Sequence, residues 1–441
     1  MRDYWRFARR APELMAFGAA LALFSSFGQT FLVSLFVPAL QVEFGITEAR
    51  FGILYSLATL ASGLLLPLAG RGIDRWPLHW VTAGVIGLMV VSALALAGAW
   101  QLWVLGLALV GVRLAGQGLS GHTSLTAMAR YFPQARGKAL SLASLGFPAG
   151  EAVLPLATTA LIGAVGWRST WLVIAGTSLV VFLPLSLGLL RRSGVELDPS
   201  RLAEAEVGTE VEERGPGITS PATTSERRSE GGGAQPARSW NRGEVLRDVR
   251  FQMALPAALL PPFWATGLIL YQAAIARERG WSLTLMATAF VAYALARVLS
   301  SLLVGGAIDR VSARRLFPWA CLPMGVGVAL LAWGPGVWPA FGFMGCLGLT
   351  VGLSGTLKSA LWAELYGARH LGAIKGLMGS FMVFSTAAAP AVVGFVLARE
   401  GGLELLLLGA MASVVVATVL ACAVWRPPAR IHPMGRAGSG S

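Results

Sequence analysis

Four charged side chains stand inside stretches otherwise apolar enough to cross a bilayer: Arg113, Glu151, Arg297 and Lys358. At mid-bilayer each costs roughly 2.5–3.5 kcal/mol on insertion scales, so each requires a partner or a water-filled cavity. Arg113 lies ~22 Å and Glu151 ~21 Å from the inner ends of consecutive helices, at ~1.5 Å per residue. They sit at matching depth, and an ion pair between them is feasible. Glu151 then reads either as a proton-carrying group governed by Arg113 and a ligand, or as half of a permanent buried pair that fixes helix packing. Arg297 lies near mid-depth with no acid nearby in its own span. With Arg113 and Lys358 it leaves the interior with excess positive charge. That suits an anionic ligand, because a guanidinium matches a carboxylate in bidentate fashion. Lys358 lies nearer the inner end of its span, where a long side chain can snorkel.

Neutral polar residues add weaker signals. Gln117, Ser120 and Ser124 follow Arg113 at helical spacing and predict a polar stripe facing a cavity. Gln29, with Ser25, Ser26 and Thr30 nearby, is a further cavity candidate, since a buried amide needs partners. Tyr271 and Gln272 occupy the outer part of one span and either bind a ligand or face the interface. His122 is the one histidine well inside a predicted span, and reads as a packing group or a proton relay. Pro148, Pro155, Pro261, Pro262 and Pro390 predict kinks. Cys321, Cys346 and Cys422 lie in apolar runs without paired spacing and read as small hydrophobes.

The elements that must position these residues are membrane helices. Of 441 residues, 55% are hydrophobic and only 13% charged, too few charges to cover a soluble protein of this size. Twelve apolar runs are expected, near 14–38, 51–70, 79–98, 102–129, 138–163, 169–190, 251–275, 283–306, 315–334, 339–364, 371–398 and 403–425. They divide the chain into a tail (1–13), a six-helix half (14–190), a polar linker (191–250), a second six-helix half (251–425) and a second tail (426–441). The linker lacks apolar residues to bury and is expected to be a largely disordered tether. The net charge of +13 is scattered over short loops, which argues against nucleic acid. Sorted by side, the outer loops hold only Arg50, Arg168, Arg277, Arg279 and Arg399, so both termini and the linker are expected in the cytoplasm, the chain lying in a plasma (inner) membrane. The basic N-terminus without a small-residue cleavage site reads as a tail and not a removed signal.

The two halves echo each other. Gly70-Arg71-Gly72-Ile73-Asp74-Arg75 returns as Gly305-Gly306-Ala307-Ile308-Asp309-Arg310, Gly118-Leu119-Ser120-Gly121 as Gly352-Leu353-Ser354-Gly355, and Pro155 as Pro390. Three matches at nearly one offset mark an internal repeat, the plan of a common transporter class. Here the chain resembles the major facilitator superfamily, whose signature follows the second span and is repeated after the eighth. The second copy continues toward the family pattern with Ser312, Arg314 and Arg315; the first departs from it with Trp76-Pro77-Leu78-His79. Arg113 followed by Gln117-Gly118 is similar to a second family signature. The resemblance implies an all-α, alternating-access carrier. Gly70, Asp74, Arg75, Gly305, Asp309 and Arg310 would then form a cytoplasmic gate, the aspartates accepting helix N-terminal amides and arginines.

The chain also resembles the branch of monocarboxylate porters and oxalate–formate antiporters. Tyr131-Phe132-Pro133, Arg136-Gly137, Arg297, and Tyr366-Gly367 through His370-Leu371-Gly372 carry this likeness. The resemblance makes Arg297 the carboxylate anchor, with Tyr293 standing where porters carry an acid one turn earlier, and Lys375 only marking the entrance of the eleventh span. The expectation is a monomeric carrier of a small organic anion, coupled to protons through Glu151, Arg113 and His122. Substrate would be bound by Arg297, Arg113, Gln29, Tyr271, Gln272, Tyr293 and Lys358. Amphiphile efflux and a non-transporting ligand sensor are the alternatives. An enzyme is not expected, and no cofactor or metal is expected, since the chain has neither an HExxH pair nor a nucleotide-binding loop.

Overall fold

The computed structural model describes residues 6, 7, 9, 11–194, 242–367 and 371–425. They are helical almost throughout, and no strand occurs among them. Ten helices are long and apolar enough to cross a bilayer, and the bent pair Pro12–Gly28 and Thr30–Phe44 supplies an eleventh, the first span. The stretch Arg136–Ser193 runs for 58 residues. As one rod it would measure ~87 Å, nearly three hydrocarbon cores of ~30 Å. Instead Gly166 adopts φ 80° and ψ 165°, a region that strongly favours glycine, and turns the chain back. Both Arg136–Ser144 before it and Leu183–Ser193 after it pack on Pro12–Phe24. The stretch is therefore two spans, fifth and sixth, which makes twelve among the described residues. Arg168 pins the turn by donating to the carbonyls of Ala97 (2.7 Å) and Ala99 (2.9 Å) and to Glu43 (2.9 Å).

The remaining spans are Glu48–Gly70, Leu78–Ala97 and Leu102–Tyr131 (second to fourth), then Val249–Leu270, Leu283–Val311, Ala313–Trp333, Trp338–Tyr366, Leu371–Leu397 and Gly402–Trp425 (seventh to twelfth). Starts are marked by capping residues: Thr47, Asp248 and Ser282 each accept a backbone N–H at the head of the second, seventh and eighth spans. Six spans per half return the chain to the side it entered, so both ends of each half share one side. We call it the linker side, and the opposite face the far side. The sixth span continues to Ser193, and a short helix Arg242–Arg247 precedes the seventh. Residues 195–241, with the disorder expected there, His370 and the tail 426–441 lie outside the described residues.

The halves meet chiefly through the second span against the eleventh and the fifth against the eighth. Leucines such as Leu302 and Leu303, each 71% exposed, belong to an apolar surface of the kind a bilayer covers. Within the second half, prolines reshape the seventh span. Pro261 and Pro262 carry no N–H, so the carbonyls of Ala257 and Ala258 lose their helical donors. Cys321 Sγ takes the first at 3.4 Å and Lys358 Nζ the second at 3.3 Å, while Ser385 Oγ donates to Leu259 O at 3.0 Å. Lys358 therefore does not snorkel. Its ammonium is half-buried, patching a proline-broken helix.

Candidate functional site

The site begins with two interruptions in otherwise regular helices. The first span breaks at Gln29, which is extended (φ −82°, ψ 154°), and its two pieces meet at 43°. Directly after Arg113, the fourth span widens into a π-helical stretch, Leu114–Ser120. The two irregularities touch: a Cβ on Gly116 would lie 2.4 Å from Gly28 N, so only glycine permits this approach. Such turns expose backbone and re-aim side chains, and they recur at functional sites.

Arg113, 3% exposed, points into this junction. It donates to Tyr55 Oη and, at 3.3 Å, to Thr30 Oγ1, while Tyr55 Oη donates to Thr30 Oγ1 at 3.2 Å. Its guanidinium also lies over the Tyr55 ring, 4.6 Å from the centroid. These partners are all neutral, and Arg113 Nε has none. Arg113 borders a cavity of about 160 Å³ on its linker side, lined also by Thr59, Ser62, Gln117, Val383 and Thr386. Because Val383 and Thr386 belong to the eleventh span, this cavity lies between the halves. Gln29 turns away from it and donates to Ser25 Oγ at 3.2 Å.

Glu151 does not pair with Arg113, as depth alone had allowed. Its Oε1 accepts from Arg297 Nη1, across the interface between the fifth and eighth spans. Arg297 thus has an acid after all, supplied by the other half of the chain. Glu151 is 2% exposed and Arg297 27%; the second carboxylate oxygen, Glu151 Oε2, has no partner. Tyr293, one turn before Arg297, lies within interaction range of both charges. Gly352 lets the tenth span close on this region, since a Cβ there would meet the Arg297 carbonyl at 2.5 Å.

Other expected residues go elsewhere. Ser120 and Ser124 are buried, donating to the carbonyls of Ala115 (2.8 Å) and Gly18 (2.7 Å), so of the predicted stripe only Gln117 faces the cavity. Tyr271 and Gln272 lie in a seal on the far side. Tyr271 Oη is shared between the carbonyls of Glu48 (2.8 Å) and Pro390 (3.1 Å), and Gln272 Nε2 donates to Ser34 Oγ at 2.6 Å. Gly52 and Gly394 make room: a Cβ on either would stand within 2.5 Å of the Tyr271 hydroxyl. Arg277 and Glu48 add an exposed ion pair at 3.2 Å. His122 is exposed against Gly70, nine residues or ~14 Å along the helix from Arg113. Arg75, Asp309 and Arg310 are exposed on the linker side, Gly305 is partly so, and the side chain of Asp74 lies outside the described residues. Tyr55 is the participant that sequence reading missed. Its only prior signal is a hydroxyl within an apolar run.

The Major Facilitator Superfamily profile matches residues 19–272 and 261–438, together nearly the whole chain. The chain belongs to this superfamily. It is a multi-pass membrane transporter, built as the internal repeat requires. The solved nucleoside transporter NupG is similar over 95% of this chain and 99% of its own, at 14% identity and TM-score 0.67. A bacterial homologue of the human lysosomal transporter Spinster, in an inward-facing and occupied conformation, is similar over 92% and 94%, at 15% identity and TM-score 0.62. At such identities the likeness is one of fold. The fosmidomycin resistance protein of Escherichia coli (strain K12) is 31% identical over 156 residues, which span 34% of this chain and 37% of that protein.

Proposed function

We propose that this superfamily member is a secondary transporter of a small organic anion, with Arg113 as the anion's anchor. One observation carries the reading: a guanidinium buried at mid-membrane has only neutral partners and borders a cavity between the two halves. A buried charge without a counter-charge is costly, and a bound anion relieves that cost. The cavity is close to the roughly 150 Å³ that accommodates a benzene-sized molecule, a volume that suits a monocarboxylate. Arg297 acts here as the lock between halves and not as the first anchor. Protonating Glu151 would cancel its attraction for Arg297, which gives proton binding a route to loosen the interface. The linker and both termini face the cytoplasm of the cell's plasma membrane, following the basic residues of the short loops.

The test is the thermal stability of the purified full chain against a panel of small carboxylates, neutral sugars and cationic amphiphiles. A ligand held at ~100 times its Kd stabilises by ~2.7 kcal/mol. A rise in Tm with carboxylates that is lost in Arg113→Gln is expected. A rise only with neutral or cationic compounds, or one unchanged in Arg113→Gln, overturns the assignment. A second reading, export, is favoured by the relative named for fosmidomycin resistance. Expression that protects a fosmidomycin-sensitive strain would establish it.

A further inference from the structure

A second basic recess lies away from the translocation site, at the linker-side edge of the second half. Ser312, at φ 84°, ends the eighth span, and the chain enters the ninth through Ala313, Arg314 and Arg315. The Glu364 carboxylate is committed here to backbone: Oε1 accepts from Ala313 N at 2.8 Å and Oε2 from Arg314 N at 2.9 Å. Arg314 Nε donates to the Val424 carbonyl, and Trp425 Nε1 donates to the Arg314 carbonyl at 3.0 Å. These bonds draw the twelfth span's end beside the ninth span's start. Between them opens a recess of about 670 Å³ lined by Arg314, Arg315, Trp319 and Trp425 among others. Trp319 and Trp425 are 50% and 45% exposed, with ring centroids 6.2 Å apart, and Arg315 is exposed.

We propose that this recess binds the headgroup of an anionic phospholipid. Its place is the first argument. It sits where two spans end, and indoles concentrate at the depth of lipid headgroups and glycerol. Its charge is the second. Two arginines flank it, and basic recesses between membrane helices hold anionic headgroups. The guanidinium fork of Arg315 matches a phosphate's oxygens, while the indole faces cover the upper acyl chains. Past Trp425 the sequence offers this recess no acidic side chain. It carries Arg426, Arg430 and Arg436, charge of the same sign. Volume is the third argument, since the recess lies within the ~300–1,000 Å³ usual for small-molecule sites.

The experiment is native mass spectrometry of the detergent-purified full chain titrated with phosphatidylglycerol or phosphatidylcholine. Arg315→Gln is the deciding variant, because an exposed side chain can be changed without disturbing the fold. Arg75→Gln, which removes a comparable exposed charge from the first half, is the control. The wild type should retain one phosphatidylglycerol at least about tenfold more tightly than phosphatidylcholine. That preference should fall several-fold in Arg315→Gln and persist in Arg75→Gln. Equal retention of the two lipids, equal loss in both variants, or an undiminished preference in Arg315→Gln overturns the proposal. So does displacement of the lipid by inorganic phosphate alone at matched concentration, which would make this a soluble-anion site.

Discussion

Removing Arg297 strands the Glu151 carboxylate. That carboxylate is 2% exposed, and its Oε2 already lacks a partner, so water cannot readily replace the lost guanidinium. Breaking a buried pair from one side costs about 3–5 kcal/mol, and we place Arg297→Ala near ~4 kcal/mol on that scale. The reverse change is milder. Glu151→Gln leaves a guanidinium that is 27% exposed beside Tyr293, and the loss is that of one charged hydrogen bond, ~1.5–3 kcal/mol. The double variant Arg297→Ala/Glu151→Gln leaves no charge to strand. It should therefore be more stable than Arg297→Ala alone, which requires a coupling between the two sites larger than the ~1.5–3 kcal/mol lost in Glu151→Gln. Equilibrium denaturation in mixed micelles measures all four corners of this cycle. If the two single losses simply add, to within ~0.5 kcal/mol, the pair does not hold the halves together and the reasoning fails.

Three further outcomes are expected. Gly394→Ala would place a Cβ 2.3 Å from Tyr271 Oη and 2.5 Å from the Glu48 carbonyl, so spin labels on the far-side ends of the second and eleventh spans should move apart; an unchanged distance distribution refutes the seal. Lys358→Ala should cost ~1–3 kcal/mol by leaving the Ala258 carbonyl unpartnered, and adding Pro262→Ala should recover part of this by restoring the missing N–H; a double variant no more stable than the single one refutes the patching role. Burial raises the Asp248 carboxyl, but hydrogen bonds and charge from Arg250, with Tyr366, outweigh it and hold that carboxyl below its usual range. Its stabilisation is then full above the unfolded-state value of ~3.9 and fades as pH falls through the lower folded-state value. Asp248→Asn should melt below wild type at pH ~7, with a gap that closes only below pH ~4; a gap independent of pH removes the ion pair from the account.

The spans and their repeat were legible because each is a long apolar run between punctuating charges, and because one offset relates both halves. The seventh span's Pro261 and Pro262 were legible as a disturbance, though not the donors that repair it. Partners within the membrane were much less legible. Depth along a helix follows from counting residues, so Arg113 and Glu151 came out level. Which way each faces depends on rotation, and runs apolar all round give little clue to it. Arg113 turns toward Tyr55 and the break at Gln29, while Glu151 turns toward a residue 146 positions away. Gly116 and Gly28 decide the first of these, and the packing of the fifth span on the eighth decides the second. Both are tertiary facts. His122 likewise sits within an apolar run yet ends beside Gly70, near the end of the second span.

The far-side seal has an energetic character of its own. Much of it is backbone: two glycines and two carbonyls meet a single phenol, with one buried side-chain bond, Gln272 to Ser34, and one exposed ion pair at its edge. Closing such a surface freezes few rotamers beyond those of Gln272, because glycine has none and tyrosine is already held within its own half. The conformational entropy lost on closure is small, where each long flexible side chain would add up to ~2 kcal/mol. Opening it releases correspondingly little. A contact of this kind therefore adds little conformational-entropy bias of its own to opening or closing the far side.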